Sequence, residues 1–271
     1  MIKKIIFYSL FLTITVSAKA QLDTIPLTFG NKLTLASKTL KEEANAWIRF
    51  PSDFEEVKDS LSLLVLLDGD EYFKMASDVV ELYEWSEKMP KTVIVGLLST
   101  TESRWKYYTP SNVAQTKEMD QEDNLLYTNS GNFEKYADFI ATELIPVLSK
   151  ELEVDFLSKT IFGHSNGGLG VMSFYVLRSE IFDKYIAASP AMLWDDYYLQ
   201  KKLKDDQRNN SLYITLATKG RDYPTKSFEK LNGNLKKTNS NFLFKENKQE
   251  THSTNGLRTL LDGLEFVYKK N

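Results

Sequence analysis

Five residues constrain this chain more than any others: Gly163-His164-Ser165-Asn166-Gly167. An apolar run, Thr160 to Phe162, precedes them, and a helical pattern opens at Gly168. A serine flanked in this way, with strand before and helix after, specifies a very tight turn that holds the serine in a strained backbone conformation. Side chains two positions to either side would collide with the neighbouring strand and helix, so glycine is needed there. The turn lifts the Ser165 hydroxyl above a sheet and sets it at a helix N-terminus, where developing negative charge is favoured. Ser165 is therefore the candidate nucleophile. The alternative is a glycine-rich turn that merely opens a helix; it does not need strand, turn and helix to fall in this order.

A serine nucleophile needs a base, and the chain has two histidines. His164 lies inside the turn and points away from its neighbour's hydroxyl. An imidazole base must therefore be His252, in Glu250-Thr251-His252-Ser253, after the last predicted strand and before the last predicted helix. The order serine, acid, histidine suits this arrangement, and a neutral imidazole can take the serine proton at physiological pH. The acid that orients the imidazole is expected in the loop after the run Leu212 to Thr218, where Asp222 is the first carboxylate. Glu229 is the fallback, and Asp195 and Asp196, after the preceding strand, are alternatives. Two backbone N–H groups should stabilise an oxyanion. Asn166, after the nucleophile, supplies one. Asp70, in Leu67-Asp68-Gly69-Asp70, is the candidate for the other, with Gly69 letting the backbone turn close to the substrate.

The rest of the chain supports a matching scaffold. Short apolar runs recur at Ala46–Phe50, Leu61–Leu67, Thr92–Leu98, Lys159–Gly163, Tyr185–Ser189, Leu212–Thr218 and Phe242–Lys245. Helical patterns lie between them at Tyr72–Lys88, Phe133–Leu152, Gly168–Arg178, Asp195–Leu203, Ser227–Lys237 and Leu257–Lys269. Runs apolar on both faces suit parallel strands buried between helices, and the alternation predicts an α/β fold: an open, mostly parallel central sheet with helices on both faces. Residues 22–45 should add an antiparallel edge strand. Residues 101–131 break the rhythm, being polar and without a clean period. They read as a lid or pocket wall, or else as a surface insertion. Tyr72, Arg104, Trp105, Tyr108 and Trp194 are the candidate pocket residues, with a plain core role as the alternative for Trp194.

Residues 1–20 read as a secretory signal peptide: Lys3 and Lys4, then the apolar Ile5 to Val16, then Ser17-Ala18-Lys19-Ala20. Cleavage before Gln21 would leave residues 21–271 as one catalytic domain in the periplasm or outside the cell, with no stable membrane insertion. The apolar run is short for a span, which needs about 20 residues. With 34 basic and 37 acidic residues, the formal net charge of -3 gives no footprint for a nucleic-acid partner. There is no cysteine, so thiolate catalysis and disulfides are excluded.

Taken together, Leu66-Leu67-Asp68-Gly69-Asp70-Glu71-Tyr72-Phe73, Arg104 through Tyr108-Thr109-Pro110, Gly163 through Gly168, Ala188-Ser189-Pro190-Ala191 and Glu250-Thr251-His252-Ser253 resemble the esterase D family, also called the Putative esterase family. The resemblance runs from about residue 27 to 269. It implies an α/β-hydrolase fold without metal or organic cofactor and a small-molecule ester substrate. Ser165 and His252 match the nucleophile and base, and Asp70 the second oxyanion donor. Exported esterases related to siderophore and feruloyl esterases are the most similar in pattern. The acid loop departs from the family's usual Gly-Glu or Gly-Asp. An acyltransferase or peptidase on the same fold, or a binding module that kept it, are the other classes the residues leave open.

Overall fold

The computed structural model describes residues 28–113, 127–203, 209–220, 225–238 and 241–269. Their centre is an eight-stranded sheet in the order β1-β2-β4-β3-β5-β6-β7-β8. The strands are β1 (Asn31–Ser37), β2 (Glu42–Arg49), β3 (Ser62–Leu66), β4 (Thr92–Leu97), β5 (Lys159–His164), β6 (Lys184–Ala188), β7 (Ser211–Ala217) and β8 (Phe242–Asn247). From β4 to β8 every pairing is parallel. The expected antiparallel edge strand is β1. One expectation needs correcting: β2, read with the parallel set, runs antiparallel to both β1 and β4. The turn at residues 38–41 joins it to β1 as a hairpin, and a hairpin can only pair antiparallel.

Eight α-helices are described: α1 (Gly69–Trp85), α2 (Thr101–Tyr108), α3 (Phe133–Phe139), α4 (Ile145–Leu152), α5 (Asn166–Leu177), α6 (Trp194–Lys202), α7 (Thr225–Thr238) and α8 (His252–Val267). Successive strand residues point to opposite faces, and both faces are buried. Leu64, Leu66, Phe162, Ile186 and Tyr213 pack under α1 and α8. Leu63, Val65, Ile161, Tyr185, Ala187 and Ile214 pack under α2 to α5 and α7. Burial on both sides is why these strands are continuously apolar in sequence.

Three departures have local causes. The predicted helix Phe133–Leu152 is α3 and α4 joined by a π-helical turn, Ile140–Leu144. Pro146 lacks the N–H that would bond one turn back, so the ladder slips there. The stretch 101–131 begins with α2, a regular helix. Thr100 accepts a hydrogen bond from Ser103 N, and Ser103 Oγ accepts one from Thr100 N, closing a capping box. The remainder of that stretch up to residue 126 lies partly outside the described residues. Finally, α8 starts at His252, not at Leu257, because Thr251 and Thr254 form a second capping box.

Among the described residues, no helix is long and apolar enough to cross a membrane. The signal-peptide reading of residues 1–20 falls outside the described residues.

Candidate active site

Ser165 joins β5 to α5 with φ 57° and ψ −113°, a conformation that side chains rarely adopt. The turn is anchored on three sides. Ser165 N donates to Ala188 O (2.9 Å), and Ser165 O accepts from Leu169 N (2.9 Å) and Ala191 N (3.1 Å). Of residues 160 to 176, Ser165 alone is not buried. The local architecture thus hides a strand and a helix and presents one side chain.

The glycines of the turn serve a more specific purpose than clearing a neighbouring strand. A Cβ on Gly163 would strike the backbone of Gly167. One on Gly167 would come within 2.8 Å of the Asp68 carboxylate. Gly69 differs from its expected role too. A side chain there would strike the backbone of Gly96 in β4, so this glycine lets α1 sit on the sheet.

The Asp68 contact shows that the loop after β3 and the start of α5 lie against each other. Asp68, in the left-handed region at φ 57°, is followed by Gly69 and Asp70 at the start of α1. Asn166 is the first residue of α5. The first N–H groups of both helices have no partner within the helix. The arrangement can therefore present two sets of amides, and two helix dipoles, to one anion.

Asp68 is buried at 1% exposure and held by two partners. Ser99 Oγ donates to its Oδ1 (2.7 Å) and Arg104 Nη2 to its Oδ2 (3.0 Å). Arg104 Nε also lies 3.0 Å from Oδ1, without an aligned hydrogen bond. Burial pushes the carboxyl of Asp68 above its ordinary value, against the lowering effect of Arg104 and Ser99. Asp70 Oδ1 accepts from Ser99 N (3.1 Å). Asp68 lies within one of the sequence motifs, Leu66 to Phe73, but neither it nor Ser99 is singled out by the sequence. Only the contacts of Asp68 with Ser99 and Arg104, 31 and 36 positions away, reveal their part. A cleft of 440 Å³ between the β1–β2 hairpin and α2 shares Ser99 but is lined by neither Ser165 nor His252.

His252 is half-buried at the first position of α8. Its backbone carbonyl accepts a hydrogen bond from His164 Nε2 (2.8 Å), and the two imidazole rings lie 4.7 Å apart. His164 carries its proton on Nε2, because a carbonyl can only accept. Burial, and then the neighbouring His252, lower its pKa to about 4. The structure therefore brings His252 against the residue preceding Ser165. Asp222 lies outside the described residues. Among the other candidate acids, Asp195, Asp196 and Glu229 are exposed, and Asp196 pairs with Lys201 at 2.6 Å.

The pocket candidates divide. Tyr72 and Tyr108 are buried, at 5% and 2% exposure. Tyr72 packs edge-on to Phe162 and His164. The Tyr108 hydroxyl accepts from Asp68 N (3.3 Å). Trp105 and Trp194 are half-buried and meet at 5.3 Å, and Tyr127 stacks on Trp194 at 5.5 Å. Trp194 Nε1 donates to Ser111 Oγ (3.1 Å). Three left-handed residues, Asp195 to Tyr197, follow it. Tyr127 sits in the irregular stretch, where no periodicity singles it out. This trio stands on segments that leave the C-terminal ends of β4 and β6, the side on which open α/β sheets bind ligands.

A model of the Putative esterase family matches residues 37–257. The chain belongs to this family. Over 150 residues it is 30% identical to the ferri-bacillibactin esterase BesA of Bacillus subtilis (strain 168), covering 52% of this chain and 51% of the relative. Over 135 residues it is 28% identical to the apo-salmochelin esterase of Escherichia coli O6:H1, covering 48% and 41%. The chain thus spans about half the length of the curated relatives it matches. Among solved structures, it superposes on the BES protein from Bacillus cereus with a TM-score of 0.79 at 21% identity, covering 92% and 99%. An IroE-like serine hydrolase from Shewanella oneidensis gives 0.74 at 22%, covering 89% and 80%. These likenesses and the sheet establish the α/β-hydrolase fold.

Proposed function

We propose that this esterase-family chain is an exported serine carboxylic-ester hydrolase that works through an acyl-enzyme on Ser165. The observation that carries the reading is the presentation of Ser165: left-handed backbone, helix N-terminus, and the one side chain from residue 160 to 176 that is not fully buried. Ser165 attacks the ester carbonyl while His252 takes its proton, with Asp222 as the acid that orients the imidazole. The amides of Asn166 and Asp70 hold the oxyanion, a role supported by the adjacency of their two helix starts. His252 then protonates the leaving alcohol, and water hydrolyses the acyl-enzyme.

Trp105, Tyr127 and Trp194 offer flat apolar surface on segments that leave the C-terminal ends of β4 and β6, the same end of the sheet as Ser165, which favours aromatic esters. The names of two relatives, esterases of ferri-bacillibactin and apo-salmochelin, support siderophore esters as the first substrates to assay. Residues 21–271 form the mature domain in this reading, after removal of residues 1–20 on export to the periplasm or beyond. The mature protein should be incubated with p-nitrophenyl esters, aryl esters and a trilactone siderophore, beside Ser165→Ala. Turnover confined to the wild type is expected. Equal background turnover by both on every substrate would refute the reading.

A further inference from the structure

We infer that His164 is a positioning residue: its imidazole holds the helix turn that carries His252 against the strand that carries Ser165. The inference rests on the reading of Ser165 and His252 as nucleophile and base. These two residues come from elements far apart in sequence, β5 with its turn and α8. Something must fix their separation, because an error of about 1 Å between reacting groups costs on the order of a hundredfold in rate. At the junction, the buried His164 ring meets His252 twice. Its Nε2–H donates to the His252 carbonyl at 2.8 Å, which fixes the main chain. Its ring lies 4.7 Å from the His252 ring, with planes tilted by 43°, which limits the imidazole's swing.

The support behind His164 is equally close. Tyr72 stands edge-on to it at 6.0 Å, and the Tyr72 hydroxyl lies so near Gly256, one turn along α8, that a Cβ there would overlap it. The helix start is thus clamped between β5 and α1. The chemistry also suits a histidine that stays neutral. When His252 accepts the Ser165 proton it becomes cationic, and a second cation beside it would oppose that step. Burial keeps His164 neutral, so it donates a hydrogen bond without adding charge.

The test compares wild type, His252→Ala, His164→Leu and His164→Gln on one p-nitrophenyl ester and with a fluorophosphonate that labels the reactive serine. Leucine removes the donor at similar volume, whereas the glutamine amide can restore it. For His164→Leu, kcat and the labelling rate should fall together by about 10- to 100-fold with KM within about twofold, and His164→Gln should recover most of the loss. With only two histidines in the chain, a ¹⁵N-histidine spectrum of untagged protein reads both rings directly. The His252 signals should move in His164→Leu and return in His164→Gln. If His164→Leu does not fold, His164→Asn, whose amide is too short to reach the carbonyl, takes its place with the same expectation. Unchanged kcat and unmoved His252 signals in the donor-free variant would overturn the inference, as would an equal loss in His164→Gln. If His252→Ala were as active as wild type, the reading of the site itself would fall, and the inference with it.

Discussion

The carboxylate of Asp68 occupies the space that a side chain at position 167 would need. Gly167→Ala should therefore displace a buried group already held by Ser99 and Arg104. We expect a loss of about 1–3 kcal/mol, the usual cost of overpacking, read as a lower urea midpoint at unchanged slope. His164 makes a second prediction at this scale. Its folded pKa, about 4, lies below the unfolded value of 6.5. The unfolded chain therefore takes up a proton first as the pH falls. His164 contributes fully to stability above pH 6.5, and the contribution is lost between pH 6.5 and 4, on the order of 3 kcal/mol. The groups that act on it are His252, Tyr72 and, more distantly, Arg104. His164→Gln should flatten this acid limb in urea unfolding measured at pH 7 and pH 4.5; an unchanged slope would contradict the assignment. The strained turn at Ser165 was legible from the sequence because its constraint is local backbone geometry. Asp68 was not, because its significance is a contact with residues from three other segments.

At the scale of elements, the start of α8 is tied to the sheet by a buried polar network. Asn255 Nδ2 donates to Ser189 Oγ (2.8 Å) and Thr215 Oγ1 (2.9 Å), and its Oδ1 accepts from Asn247 Nδ2 (2.7 Å). Ser189 Oγ in turn accepts from Ala217 N (3.1 Å), and Thr215 pairs with Thr259 at 2.6 Å. One asparagine thus links the ends of β6, β7 and β8 to the helix that bears His252, three residues before it. Asn255→Ala should cost about 2–4 kcal/mol in chemical denaturation, since it leaves buried donors and acceptors unpaired. A loss below about 0.5 kcal/mol would mean that water or repacking replaces the network. Sequence patterning placed the helices well and their starts poorly. The first turn of α8 carries no apolar stripe, only the Thr251–Thr254 box, so the apolar pattern alone begins five residues late. The same holds for α2, whose Thr100–Ser103 box lacks the usual acidic partner and whose buried Tyr107 and Tyr108 are adjacent rather than three or four apart.

For the whole molecule, the parallel half of the sheet was legible because burial on both faces leaves an unbroken apolar run for each strand. The direction of β2 was not, since an apolar run carries no polarity and only the hairpin with β1 sets it. The aromatic trio likewise depends on three distant segments meeting above the strand ends. The turn between β5 and α5 sets one hydroxyl, that of Ser165, at the C-terminal edge of the sheet. The most direct measurement is the intact mass of the mature protein after a slow aryl ester or a fluorophosphonate, followed by peptide mapping. A single adduct on the peptide containing Ser165, absent from Ser165→Ala, is the predicted result. Ester turnover that persists in Ser165→Ala, or an adduct on any other residue, would contradict the account.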